Sequence, residues 1–514
     1  MEKTESMFWA DQIARKLSGR QAVNDSKTPS GRVHVGALRG VIIHDVLYKA
    51  LRDAGLKAEF FYGNDDFDPM DDVPACLPKK FEEYRGMPLS EIPAPEGNGS
   101  YADYYFGEFQ EVFEKLGAKP HVYKMSELYK SGKMDSTIKT ILENGDKIRA
   151  IYKRVSGSEK GAEWLPFSII CDKCGRIGTT RVRDFDGKTV AYKCEPHLVK
   201  WAQGCGHEGR KNPFRGSGKL PWKMEWIGQW RVHGITLEGS GKDHMTAGGA
   251  RDVADAVFKE VFQKTPPLAF AYEWFLLGGR KMSTSKGVGV SAKEISAALP
   301  PELLRFTMTR YKPQTAINFN PEGDTIPRLY DEFDKSAAVF FKKEEARDPD
   351  VPRIFELSNF EKPKDFFKPQ FSFVSYLVQI PGANLETAFE KQKGSALNAD
   401  EKTELKKRVA FAKIWLDKFA PDEAKIKIVE KPDWKSIGTK ERAALSEFAG
   451  CLDESEGEQA EKIREICAAK GVSIQDFFKA AYKIFIGREK GPRLVPFLNA
   501  LDKKFVYARL VGKK

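Results

Sequence analysis

The chain has 514 residues, 41% of them hydrophobic and 31% charged, enough for three or four domains with large buried cores and the balance of a soluble globular protein. No apolar run approaches the roughly 18–20 residues that a membrane span requires. The charged stretch Met1–Arg20 lacks the apolar core of a signal peptide. Membrane insertion and export are therefore not expected, and a cytoplasmic protein is. A net charge of +11 suits encounters with polyanions, although charge alone does not single out nucleic acid.

The first half alternates helix-like and strand-like runs. From His34 to Ala54 apolar residues recur at helical spacing (Leu38, Val41, Ile42, Val46, Ala50), and Gly55 is a stop signal. Ala58–Gly63 reads as a short buried strand, so strand, helix and strand fall within some forty residues, the unit of a parallel α/β sheet. The first half of that domain is assigned to residues 1–70. Over 71–218, Pro, Gly and Cys become frequent and short β-like runs appear (Thr189–Tyr192), which predicts an insertion. The α/β pattern resumes over 219–325, including Ala269–Tyr272. Residues 326–514 are Lys/Glu-rich and helical, with breaks at Pro363, Pro369 and Pro381.

Three segments have the chemistry to handle a nucleotide. Thr28-Pro29-Ser30-Gly31-Arg32-Val33-His34-Val35-Gly36-Ala37 joins a strand to a helix start, where backbone N–H groups favour phosphate. A plain helix start with a surface histidine would account for the same residues. Gly278–Gly287 holds three glycines, three hydroxyls (Ser283, Thr284, Ser285) and the cations Arg280, Lys281 and Lys286. Such a loop can close over a triphosphate and neutralise departing pyrophosphate; an ordinary exposed basic loop is the alternative. The apolar run Phe270–Leu277 is expected to deliver it to a sheet edge. Between them, Gly241-Lys242-Asp243-His244 places a carboxylate after a strand, where ribose hydroxyls can be held.

Seven cysteines make a disulfide scaffold improbable on count alone, and four of them cluster. Cys171-x2-Cys174 is followed by Cys194 after nineteen residues and by Cys205 after ten more. Thiolates at this spacing fit a closed tetrahedral zinc site within 165–210, with His197 and His207 competing with Cys194 or Cys205 for the fourth position. Cys76, Cys451 and Cys467 read as ordinary thiols.

In order, the three nucleotide segments resemble the class I aminoacyl-tRNA synthetase signatures, and the whole set resembles the lysyl form of that class. Asp65-Asp66-Phe67-Asp68-Pro69, Lys219–Trp226, Tyr272-Glu273-Trp274, Lys281–Gly287 and Gly491–Phe497 extend the likeness. The resemblance implies a Rossmann-type α/β catalytic domain with a zinc-containing connective insertion and an all-α C-terminal anticodon-binding domain. It implies that lysine and ATP, with Mg2+, give lysyl-adenylate, and that the lysyl group passes to tRNA(Lys). A monomer with no membrane partner is expected. Carried over residue by residue, His34, Lys281 and Lys286 are catalytic. Thr28, His34, Gly36, Asp243, Lys281, Ser283, Ser285 and Lys286 bind ATP. Thr28, Asp65, Trp226, His244 and Tyr272 bind lysine, and Cys171, Cys174, Cys194 and Cys205 hold zinc.

The sequence departs from the family pattern at four points. Ala37 replaces the second signature histidine, Thr284 stands where the loop signature has its second lysine, Ser26 replaces a glycine, and Gly40 replaces a glutamate suited to the substrate ammonium. Asp65 or Asp66 is the expected substitute, against a solvated-loop reading of both. Pro95–Tyr101 has no Cys or His, so no second zinc is expected there. The other readings are a glutamate-like class I synthetase, which would call for a basic pocket, and a non-catalytic tRNA-binding paralogue. In the C-terminal region Phe477, Phe478, Ala481, Tyr482, Ile484 and Phe485 form a helical stripe, read as core.

Overall fold

A computed structural model describes residues 8–279, 290–380 and 383–512. They fall into two compact units, Met1–Asn320 with Val339–Pro363, and Pro321–Ala338 with Lys364–Lys514. The helical region expected from 326 onward is thus divided between them.

The first unit is built on five parallel strands, β1 (Gln21–Lys27), β2 (Ala58–Asn64), β3 (His121–Lys124), β4 (Leu237–Gly241) and β5 (Leu268–Tyr272). Their order is β3-β2-β1-β4-β5. The sheet grows in one direction from β1 to β3 and in the other from β4 to β5, so the β1/β4 boundary is a topological switch point, where open α/β sheets bind ligands. β1 and β2 pair along seven residues, whereas β1 and β4 share one register pair, Val23 with Leu237. Beyond it the two strand ends leave a crevice.

Helix α1 (Leu38–Asp53) crosses from β1 to β2 and buries nearly its whole surface, including Leu38, Val41, Ile42, Val46 and Leu47. It stops where Gly55 takes a positive φ of 81°, which glycine adopts without strain. Arg39, 1% exposed, donates from α1 to the backbone carbonyls of Met308 and Lys312.

Two expectations need correction. β3 comes from within 71–218, so that stretch is not wholly an insertion. Its four residues His-Val-Tyr-Lys carry one aliphatic side chain and are only partly buried, which left no hydrophobic signal. The run Phe270–Leu277 is also not one strand. β5 ends at Tyr272, and Phe275–Leu277 pairs instead with Ile317–Phe319.

Within 71–218, Ser168–Ile169 pairs antiparallel with Gly218–Lys219. Between these ends lies an antiparallel sheet of Thr180–Phe185, Val190–Cys194 and Glu208–Lys211. Helix α3 (Trp222–His233) lines the crevice, and α2 (Met125–Lys130) packs behind it through Tyr129, which donates to Glu225.

In the second unit no strand occurs among the described residues. Its helices begin at strong caps: Asn398 with Glu401 and Ser455 with Glu458 form reciprocal capping boxes. Buried Arg408 organises its core, donating to both Asp334 oxygens at 2.7 and 2.6 Å, to Glu404 at 2.7 Å and to the Pro369 carbonyl at 2.7 Å. The predicted aromatic stripe lies on Ile474–Ile486, with Phe477, Ala481, Ile484 and Phe485 buried and Phe478 half-buried. Among the described residues no helix is long and apolar enough to cross a membrane.

Candidate active site

The crevice at the switch point opens into a cavity of about 690 Å³. Thr28, His34, Asp65, Trp226, Asp243, His244 and Tyr272 all line it. These positions span nearly 250 residues of sequence; the sheet brings them together because strand C-termini all face this end.

His34 precedes the turn Val35–Ala37 that leads into α1, and Gly36 lies within that turn, off the cavity wall. Lys281, Ser283, Ser285 and Lys286 lie outside the described residues. Both feet of their loop are fixed. Gly278 N–H donates to the Phe319 carbonyl at 3.0 Å and Gly279 N–H to Asn318 Oδ1 at 2.7 Å. On the far side Val35 N–H donates to the Val290 carbonyl at 3.1 Å and Ala292 N–H to the Val33 carbonyl at 2.9 Å. The residues that follow the loop, Val290–Ala292, therefore pair with the His34 segment.

Around the end of β1 runs a chain of polar contacts that motif reading missed. Thr28 Oγ1 donates to Asp68 at 2.6 Å, and Asp68 pairs with Lys219. Lys219 lies 3.2 Å from Glu225, which accepts from the Tyr129 hydroxyl at 2.6 Å. Burial opposes the Lys219 charge, but Asp68 and Glu225 outweigh it and hold the ammonium above its ordinary value. Burial pushes the Glu225 carboxyl up to about 7, with Lys219 pulling it back.

Asp65 accepts from the Ser26 hydroxyl at 2.8 Å and from Gln229 at 3.1 Å. Burial, then repulsion from Asp68 and Glu225, raises its carboxyl well above the usual range. Asp66 differs from both expectations for it. It is 2% exposed and accepts from the Ser126 backbone N–H at 2.8 Å and from the Ser126 hydroxyl, capping the start of α2. It is absent from the cavity wall.

The opposite wall is aromatic. Trp226, 9% exposed, stands on α3 with Trp222, whose ring meets that of His244 edge-on at 5.1 Å. Buried Glu238 on β4 accepts from Asn24 at 2.6 Å and from the Trp230 indole. His44, fully buried on α1, accepts from Gly239 N–H through Nε2 at 2.9 Å, so its proton sits on Nδ1, 2.7 Å from the Gly40 carbonyl. Burial keeps this ring neutral by lowering its pKa. In all, six carboxylates (Asp25, Asp65, Asp68, Glu225, Glu238, Asp243) and two lysines (Lys27, Lys219) line the cavity. Such a wall is complementary to a cation. A signal for the missed residues did exist, since Asn24 and Asp25 are polar residues in the middle of a central strand.

The connective stretch adds Ser168, Ile177, Gly178 and Trp201 to the wall. Nearby, the sulfurs of Cys171, Cys174, Cys194 and Cys205 all lie within 4.8 Å of one another. The closest approaches are 3.6 Å for Cys171 with Cys205 and 3.7 Å for Cys174 with Cys194. These are far too long for disulfides but match the edge of a tetrahedron with metal–sulfur distances of about 2.3 Å. Among the described residues, neither His197 nor His207 belongs to this group.

A parallel sheet with a nucleotide-type crevice at its switch point, flanked by a His34 turn and a basic loop, has the layout of a class I synthetase. The pattern of the tRNA synthetases class I (K) matches residues 7–361, and the chain belongs to that family. A lysine–tRNA ligase of Thermoplasma acidophilum is 34% identical over 509 residues, covering 98% of each chain. Those of Methanosarcina barkeri (35% identical, 98% of this chain and 97% of the relative) and Methanocaldococcus jannaschii (34%, 98% and 99%) are similar over the same extent.

Proposed function

We propose that the chain is a lysine–tRNA ligase, which activates lysine with ATP and passes the lysyl group to the 3′ end of tRNA(Lys). The observation that carries the choice of lysine is the cavity wall, with six carboxylates against two lysines and the aromatic faces of Trp226, His244 and Tyr272. A side chain ending in an ammonium is stabilised there by opposite charge, and its alkyl stem by aromatic packing. Glutamate would bring a further carboxylate among carboxyls already raised by burial and mutual repulsion.

In this reading the lysine α-carboxylate oxygen attacks the α-phosphorus of ATP, the bond to the β-phosphate oxygen breaks, and pyrophosphate leaves. His34 and the backbone N–H groups around Gly36 hold the phosphates at the helix start. Asp243 holds the ribose. Thr28, fixed by Asp68, orients the reacting groups, and Asp65 belongs to the lysine pocket. Lys281 and Lys286, with the hydroxyls of Ser283 and Ser285, take up the charge that develops on pyrophosphate. Mg2+ accompanies ATP. The four cysteines fit a structural zinc ion, which would staple the connective stretch behind Ile177, Gly178 and Trp201. The helical C-terminal region would read the anticodon.

Pyrophosphate exchange measured with each amino acid, in the presence of tRNA, tests the reading. Exchange with lysine alone is expected. Exchange with glutamate, or none with any amino acid, would overturn it.

A further inference from the structure

Four of the cavity carboxylates (Asp65, Asp68, Glu225 and Glu238) have donors from side chains around them, as described above. Asp25 differs. Its Oδ1 accepts from the Ser26 N–H at 3.0 Å. Its Oδ2 faces α1, where the nearest basic group is His44 Nδ1 at 3.7 Å, and that ring is neutral with its Nδ1 proton donated to the Gly40 carbonyl. Among the described residues no lysine or arginine comes within ion-pair distance of Asp25. Its side chain is 12% exposed, and it lines the cavity.

Glycine at position 40 lets this oxygen lie close against α1. A Cβ placed on Gly40 would lie 2.5 Å from Asp25 Oδ2 and 2.7 Å from the Tyr272 hydroxyl, closer than atoms can approach. A carboxylate from β1 and a hydroxyl from β5 thus converge over one bare point of α1.

We propose that Asp25, with the Tyr272 hydroxyl beside it, is the residue that receives the side-chain ammonium of the substrate. The assignment rests on the lysine reading above. A buried ammonium without a carboxylate is costly, and so is a buried carboxylate without a cation; each supplies what the other lacks. Asp65 accepts from the Ser26 hydroxyl, and both of its oxygens already accept hydrogen bonds. Burial pushes the Asp25 carboxyl up to about 7, against the pull of the Ser26 N–H and Lys27. The other titratable groups around it are His44, Tyr62, Asp65, Glu238 and Tyr272. Arrival of an ammonium lowers the Asp25 pKa, so lysine binding near pH 6 expels a proton.

The test compares wild type, Asp25→Asn and Asp65→Asn in pyrophosphate exchange with tRNA present, using norleucine, which lacks the ammonium, as a competitive inhibitor. For Asp25→Asn the KM for lysine is expected to rise roughly 100-fold, the cost of unpairing a buried charge. The KM for ATP and the inhibition constant of norleucine are expected to stay within about threefold of wild type. Calorimetry at pH 6 in buffers of different ionisation enthalpy is expected to detect proton release on lysine binding to wild type and much less with Asp25→Asn. Thermal unfolding checks that each variant is folded, and Asp25→Ser replaces Asp25→Asn if it is not. A lysine KM within about threefold of wild type, equal losses for lysine and norleucine, or a lysine-selective loss confined to Asp65→Asn would overturn the proposal. Absence of lysine-dependent exchange in wild type would instead overturn the lysine reading on which it rests.

Discussion

At the scale of single residues, Asp25 carries a cost that the free chain does not. Burial raises its carboxyl from 3.8 in an exposed chain to about 7 in the folded protein. Between those values the folded state binds the extra proton, so stability falls as pH rises through this window, and the full penalty is present above pH 7. Asp25→Asn is therefore expected to raise thermal stability at pH 8, by on the order of 4 kcal/mol, and to come close to wild type near pH 4. Parallel melting curves at the two pH values check this. Gly40→Ala tests the same contact from α1. Its methyl would collide with Asp25 and Tyr272, so lysine activation is expected to fall by a factor of roughly 10–100, from a misplacement of about 1 Å, as read by exchange kinetics. His34, Asp65, Trp226 and Asp243 were legible because each sits in a recognisable segment. Asp25 was not, and Lys219 and Glu225, although inside the recognised Lys219–Trp226 segment, had no role assigned, because their meaning depends on neighbours across the fold. The Lys219 charge makes sense only once Asp68 and Glu225 are seen on either side of it. Asp66 shows the converse: beside Asp65 in sequence, it turns away to cap α2.

Among elements, the decisive one is the switch point between β1 and β4. The helix after β1 and the strand Ala58–Asn64 were legible from apolar spacing, since α1 is buried on nearly every side and β2 is continuous. β3 was not, because a short, half-buried edge strand leaves no such pattern. The chain that carries Lys281 and Lys286 is anchored at Gly279 on one side and, through Val290 and Ala292, on the His34 segment on the other. Lys281→Ala and Lys286→Ala are expected to slow adenylate formation by about 100-fold or more while lysine affinity stays near wild type. Single-turnover kinetics alongside equilibrium binding separate the two effects; loss of binding alone would contradict the role. The connective sheet is a second case. Four sulfurs brought within 4.8 Å predict one equivalent of tightly bound zinc, measurable by elemental analysis of the purified protein. Cys174→Ser is expected to lower that content and to loosen the Trp201 wall, raising indole accessibility to quenchers.

For the molecule as a whole, the positive charge and the helical C-terminal region matter more than any one contact. A chain of net charge +11 is expected to bind tRNA with an affinity that falls steeply as salt rises, because counterions are released from the nucleic acid. Lysine binding, proposed for the half-open, partly apolar cavity, is expected to change far less over the same range. Filter binding of tRNA and calorimetry of lysine between 50 and 300 mM salt, taken as an order-of-magnitude range, compare the two. The all-helical character of the C-terminal region was legible from composition. Its internal order was not, because Arg408 joins its helix to residues 334 and 369, which no periodicity links. The most direct test of lysine-specific activation and transfer is aminoacylation of purified tRNA(Lys) and tRNA(Glu) with labelled lysine and labelled glutamate side by side. Lysine attached to tRNA(Lys), with no glutamate on either tRNA, is the predicted result. Glutamate on either tRNA, or no charging of a tRNA(Lys) that the protein binds, would contradict it.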